Sequence, residues 1–454
     1  MKKFFTFLFA IIFIATFLTA CSSNNGGEYE PQTEQTEQAT PDAQPTPAPP
    51  PQPLQDFGTS DFPALHITMN GNELHRTDWL DVVFTVDSAT TGYNFTDAGG
   101  RIRGRGHSSW NYMEGKMPFR IRFDEPRAMP GSSYAARDWT FIANHSDKSL
   151  LRNYSAYFLA RSLDGMSYAP SAQFVDVYFD GVYQGVYMMS IQVNEIAEGR
   201  LNLVSHPVPG LSEFLLEMCS RVTAGGGVEG LTYVRLHPHI SPFDIRIPHN
   251  AMQIQQYAVY IRGFLGNIDS LIRARNPAVF DYIDKASFVD FYLVQELFKN
   301  IDIEVSSVFM QIRGTGEDRR LEMGPVWDFD IAAGNAYYQD MAGHQGGYGP
   351  TGGWAMYRMW FRYLMEIPAF REAATFRWRE IRDAEIRMML DHILDIAIRY
   401  ESSFERNFLR WPIMGIFVWP NPAEVVAIDT FMGQVDYLIR WLEARIAWLD
   451  THIF

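Results

Sequence analysis

Gly324-Pro325-Val326-Trp327-Asp328-Phe329-Asp330-Ile331-Ala332-Ala333-Gly334-Asn335 is the seam of this chain. A predicted hairpin leads up to it, and after a glycine-rich loop a helical pattern follows it. Asp328 and Asp330 stand two apart among aromatic and small residues, and Asn300-Ile301-Asp302 lies one hairpin upstream. Carboxylates set in apolar sequence are costly to bury unless they are paired, hydrogen-bonded or metal-bound. Three of them converging would make a hard-cation site, suited to Mg²⁺ or Ca²⁺. Structural ion pairs use such spots too, so the pair alone leaves a capped turn open as a reading.

Residues 308–312 and 321–326 predict a hairpin around Gly314-Thr315-Gly316, with the acidic motifs at its base. Residues 64–69, 81–86 and 119–123 read as strands. Asp180-Gly181 between residues 174–179 and 182–187 supplies the positive φ of a type I′ hairpin turn. Residues 149–163 are helical in period, with apolar side chains at 150, 151, 154, 158 and 159. Residues 251–272 and 287–299 predict amphipathic helices, the second with Ser287 and Asp290 as N-terminal signals. Trp354 onward reads as several helices, with Trp411, Trp419, Trp441 and Trp448 expected in the core. The expected class is α+β, β-rich from about residue 61 to 250 and mainly helical from about 251 to 454.

The chain has 454 residues, 47% hydrophobic and 15% aromatic, enough for one large or two fused domains with a filled interior. Its net charge of -15 argues against a nucleic-acid partner, which would need a basic surface. Lys2 and Lys3, the apolar stretch 4–17 and Leu18-Thr19-Ala20-Cys21 form a lipoprotein-type signal and lipobox. The expectation is a lipid on Cys21, an extracytoplasmic location at the bacterial cell membrane, and contact with that membrane through the lipid alone. Residues 22–60 are Pro-, Gln- and Thr-rich and read as a tether. Cys219 then has no partner and reads as a small buried hydrophobe. The glycine runs at 225–227 and 346–349 read as flexible loops, and His237-Pro238-His239 as a loop rather than a metal site.

Six blocks in order resemble the spore-coat CotH kinase family. They are Ile102-Arg103-Gly104-Arg105-Gly106-His107-Ser108-Ser109-Trp110, Lys116-Met117-Pro118-Phe119-Arg120 and Asp147-Lys148-Ser149-Leu150-Leu151-Arg152-Asn153. The hairpin from Phe179 to Tyr187, Gln295-Glu296-Leu297-Phe298-Lys299-Asn300-Ile301-Asp302 and Pro325-Val326-Trp327-Asp328-Phe329-Asp330 complete the set. The resemblance implies an atypical kinase-like fold that uses ATP and Mg²⁺, with Mn²⁺ or Ca²⁺ as alternatives. It also implies phosphorylation of serine or threonine on a protein partner, such as a serine-rich surface protein. Asp302 is then the catalytic-loop Asp, and Asp328 and Asp330, similar to an Asp-Phe-Gly element, are the metal residues. Ser307 stands where kinases carry a metal-binding Asn. Lys116 is the candidate phosphate-contacting lysine, joined by Arg103, Arg105 and Arg152. Alternation places Arg101, Arg103 and Arg105 on one strand face. Ile191 occupies the place of a family Glu, leaving Gln192, Glu195 or Glu217 to pair with the lysine.

Overall fold

Period-two alternation closes the first half of the chain into a barrel. Its strands are β1 (Ala64–Thr68), β2 (Leu80–Asp87), β3 (Phe95–Gly104), β4 (Phe119–Ala128), β5 (Ala135–Ile142), β6 (Gln173–Phe179) and β7 (Val182–Ile191). They run β1-β2-β3-β4-β5-β7-β6, and a parallel pairing of β6 with β1 closes the ring. Closure removes the free edges that an open sheet exposes. Every second side chain points inward, so Ile67, Val82, Phe84, Ile102, Phe119, Ile121, Val177 and Ile191 share one core. The computed structural model describes residues 59–454 except 91, 112–114, 133, 195–200, 224–225, 239, 249–253 and 339–346. Cys21 and almost all of the expected tether lie outside the described residues, as do Glu195 and His239.

The hairpin between β6 and β7 turns as its Asp-Gly pair predicts, with φ of 46° at Asp180 and 80° at Gly181. Asp180 also does something its sequence context did not suggest. Its carboxylate accepts hydrogen bonds from the amides of Gly71 at 2.8 Å and Met69 at 2.7 Å, which pins the β1–β2 loop. The Gly71 amide, ahead of the others, holds that carboxyl below the usual range.

A second sheet runs β12-β11-β8-β10-β9, all antiparallel. Its strands are β8 (Phe214–Met218), β9 (Tyr233–Val234), β10 (Phe243–Ile247), β11 (Val308–Arg313) and β12 (Arg320–Met323). The longer helices are α1 (Arg152–Ser162), α2 (Ile254–Arg273), α3 (Lys285–Phe298), α4 (Pro368–Arg382), α5 (Glu385–Arg399), α6 (Glu401–Arg410) and α7 (Phe431–His452). The fold is thus α+β, with a β-rich first half and a helical second half. Phe174, Val186 and Met188 point out of the barrel into the larger helical core. With both faces covered, β7 reads as an almost continuous apolar run.

α3 is buried from Ser287 to Phe298 and packs against α1, α4 and α7. Its start corrects the sequence reading. Asp284 is the N-cap, accepting from the Ser287 amide at 2.7 Å. Asp290, expected near the start, instead forms a buried ion pair with Arg377 at 2.8 Å. Of the four C-terminal tryptophans expected in the core, Trp441 is buried and the other three are half-buried. Cys219 is likewise half-buried rather than sealed in the interior.

Candidate functional site

The end of α3 delivers the first acid. Lys299 closes the helix in the left-handed region at φ 46°, and Asn300 Oδ1 accepts from the Asp302 amide at 3.2 Å. The hairpin β11–β12 delivers the other two. Ser307 and Asp328 both sit at positive φ, 61° and 68°. Such backbone costs energy in a residue with a Cβ and gathers at functional sites. Ser307 Oγ donates to Asp328 Oδ2 at 3.0 Å, joining the two strained residues.

The carboxylates of Asp302, Asp328 and Asp330 share one electrostatic neighbourhood. Burial, then the charge of Asp328, lifts Asp302 to about 7, and Arg221 offsets part of that rise. Burial, then Asp328, Asp302 and Asp147, pushes Asp330 well above the usual carboxylate range. Each is still partly open to solvent. They do not form a ready cage: among the described residues no three His, Cys, Asp or Glu side chains surround a cation position.

Buried polar residues hold this loop from behind. Asn153 Oδ1 accepts from the Phe329 amide at 2.6 Å, and Asn335 Nδ2 donates to the Asp330 carbonyl at 2.7 Å. Arg152, expected to touch a nucleotide, belongs to this support. It is sealed from solvent, pairs with Asp147 at 2.6 Å and donates Nε to the Ala332 carbonyl at 3.1 Å. With its donors committed inside the protein, Arg152 shapes the acid loop and does not face a ligand. The block from Asp147 to Asn153 is therefore scaffold. The same holds for Glu296, which accepts from the Trp354 amide at 2.7 Å and pairs with Arg445 at 2.6 Å. Lys299 Nζ donates to the carbonyls of Gly347, Gly349 and Thr351, so the described part of that glycine run is anchored rather than a free loop.

The expected cations divide. The charge of Arg105 reaches the buried Tyr157 hydroxyl, whose pKa burial and then Asp328 push up, so its field extends to the acid neighbourhood. Arg105 follows the last residue of β3, while Arg101 and Arg103 lie over the Trp79 ring. Lys116 is elsewhere. It is fully buried, donating Nζ to the carbonyls of Ala143 at 2.8 Å and of Val186. Burial holds its pKa well below that of a free lysine, and the carboxylate that counters this is Asp176. Two of three ammonium donors are thus taken, and Nζ stands 4.6 Å from the Tyr187 ring centre. The phosphate-contacting role read from sequence is not met in this geometry. Of the residues read as stand-ins for the missing Glu, neither Gln192 nor Glu217 pairs with Lys116, and the carboxylate that acts on it is Asp176. Gln192 accepts from Thr140, and Glu217 pairs with Arg246 at 3.5 Å.

Sequence reasoning missed three neighbours of the acids. Arg221 acts on Asp302 and His107, and its Nη2 donates to Ser306 Oγ at 2.7 Å. Tyr338 feels all three carboxylates and stacks on Trp419. Tyr157 stacks on Trp327. Only the Tyr337-Tyr338 pair, three residues beyond Gly334, carried any signal.

A family model described as CotH kinase protein matches residues 101–199 and 273–449. The chain belongs to the CotH kinase family. The matched segments include the arginine-bearing end of β3, the Asp147–Asn153 scaffold and the whole acid loop of this CotH-family protein. No curated protein matches the chain.

Proposed function

We propose that this CotH-family protein binds ATP with Mg²⁺ and transfers the γ-phosphoryl group to serine or threonine hydroxyls of a protein. The observation that carries the reading is the meeting of three carboxylates, where the charge of Asp328 raises both Asp302 and Asp330 and Arg221 offsets part of the rise at Asp302. Carboxylates that raise each other's pKa are short of positive charge, which a divalent cation supplies. The lack of a complete cage fits Mg²⁺, which is usually held by one or two carboxylates plus water and substrate phosphates. Mn²⁺ takes the same oxygen ligands, while Ca²⁺ asks for more of them. Asp328 and Asp330 would hold the cation, with Ser307 orienting Asp328. The bound cation would neutralise charge on the phosphates.

Asp302 accepts the proton of the acceptor hydroxyl, and a pKa near 7 suits that task. Arg221, and Arg105 through its longer-range field, would supply positive charge toward the phosphate oxygens. The test is labelled ATP with Mg²⁺ and a serine-rich surface protein. Label should pass to the acceptor and be lost in Asp302→Ala; no transfer by the intact protein would sink the proposal.

We further propose that residues 61–454 form the working domain. Cys21 carries the lipid that holds it outside the cytoplasmic membrane, and residues 22–60 serve as its tether. A labelled fatty acid should enter the protein and fail to enter Cys21→Ser. A second reading is a noncatalytic surface protein that binds a partner or glycan on this scaffold. The burial of Lys116 away from the acids favours it. Absence of any thermal shift with ATP, ADP and Mg²⁺ would decide for it.

A further inference from the structure

Four arginines crowd one indole on the outer wall of the barrel. Across the β3–β4 ladder, Arg101 lies opposite Arg122 and Arg103 opposite Arg120. Their guanidinium carbons stand 5.5, 5.6, 4.9 and 4.8 Å from the Trp79 ring centre. Like charges directly opposite in a ladder are destabilising, and here that occurs twice. Asp138 answers Arg122, through Nε at 2.7 Å and Nη2 at 2.5 Å. Arg103 Nη1 donates to the Thr77 carbonyl at 3.2 Å. Asp81 lies opposite Arg101 in the β2–β3 register but is exposed. The Nε atoms of Arg103 and Arg120 are buried with no hydrogen-bond partner. Arg246 of the second sheet also acts on Arg120, though it is itself paired with Asp244 at 2.9 Å. In a chain of net charge -15, Arg101, Arg103 and Arg120 form no carboxylate ion pair among the described residues, and Asp138 offsets only part of the charge at Arg103 and Arg120.

The same strand leads to the acids. Arg105, whose charge is felt at Tyr157 beside Asp328, is two residues beyond Arg103 and four beyond Arg101. At a rise of about 3.3 Å per residue, the two lie roughly 7 and 13 Å from it along the chain. An extended acceptor peptide has the same rise. An anionic side chain about two to four residues from the target hydroxyl would therefore meet the guanidinium forks, whose geometry matches carboxylate and phosphate.

We propose that Arg101, Arg103 and Arg120, stacked on Trp79, dock the protein acceptor and select segments with phosphoserine, Asp or Glu near the target serine. This rests on the phosphotransfer reading above, and its test does not depend on turnover. Three fluorescent peptides of equal length would carry a central serine flanked by phosphoserine, by Asp, or by neither. Anisotropy without nucleotide should show both anionic peptides binding about tenfold or more tighter than the neutral one. Phosphoserine, with its larger charge, should bind tightest. The Arg101→Gln, Arg120→Gln double variant should lose the preference, while Asp302→Asn keeps it. Equal affinity for all three peptides, or a preference that survives in the double variant, overturns the proposal. Thermal melts show whether the double variant is folded; if it is not, Arg101→Gln alone should weaken the preference, and an unchanged preference there overturns the proposal equally. Retained peptide selectivity with no phosphate transfer would sink the kinase reading and leave the docking surface standing.

Discussion

Asp302 shows how a single side chain acquires a role from its surroundings. As an isolated Asn-Ile-Asp turn it could be any helix-end residue, yet burial and the neighbouring Asp328 lift it to about 7. A base must be ionised to accept a proton, so transfer rate should rise with pH and level off above about 7. A cation at Asp328 and Asp330 should move that midpoint lower by cancelling the repulsion. Asp302→Asn keeps the shape without the base and should cost on the order of 10²-fold or more in rate, with the pH dependence gone. A variant with wild-type rate and profile would remove Asp302 from the chemistry. Arg152 teaches the opposite lesson. Its charge looked like a ligand contact in sequence, but Asp147 and the loop carbonyls use it. Arg152→Ala leaves a buried carboxylate unpaired and should cost roughly 3–5 kcal/mol in urea unfolding. An effect below about 1 kcal/mol would place the pair nearer the value of an exposed one.

Elements explain why part of the site could be read from sequence and part could not. The β6–β7 turn and the β11–β12 hairpin follow from local chemistry, because Asp-Gly and the glycines of Gly-Thr-Gly take positive φ at little cost. The barrel's inward residues follow from alternation. The acid loop could be recognised because carboxylates in apolar sequence demand an explanation. Lys116 could not be placed, because a residue just before a strand can turn either way and only the arrival of α6 decides. That arrival is seen at Gly185, where φ is 104° and a Cβ would meet Asn407 Oδ1 at 2.6 Å, Trp411 Nε1 at 3.0 Å and Lys116 Cε at 3.2 Å. Gly185→Ala should therefore loosen α6 from β7 and lower stability by about 1–3 kcal/mol. Hydrogen exchange should rise in α6 and β7 before the rest of the barrel. Uniform exchange with unchanged stability would mean that the helix yields without cost. The α3 cap was missed for a similar reason, since Ser287 and Asp284 both suit a helix start and tertiary packing chooses between them.

The acids come together only in the folded chain: Asp147 ahead of α1, Asp302 beyond α3, Asp328 and Asp330 beyond β12. The unfolded chain separates them, so their repulsion counts against the native state alone. The sign of its pH dependence follows. Asp302 unfolded titrates near the ordinary carboxylate value of about 3.9, and folded at about 7. The native state therefore holds its proton more tightly, and stability present below about pH 4 is lost as pH rises towards about 7. Asp330, raised further, acts in the same direction. Without divalent cations the melting temperature should fall between about pH 5 and 7.5, apart from changes elsewhere in the chain. Added Mg²⁺ should restore it at the higher pH, by about 2.7 kcal/mol at a hundred times its Kd. Asp330→Asn separates this account from a general salt effect. Removing one repelling charge should raise the cation-free melting temperature at pH 7.5, while the response to Mg²⁺ shrinks. A variant that melts lower than the parent, or that keeps the full Mg²⁺ response, would show that Asp330 is neither a source of strain nor a holder of the cation.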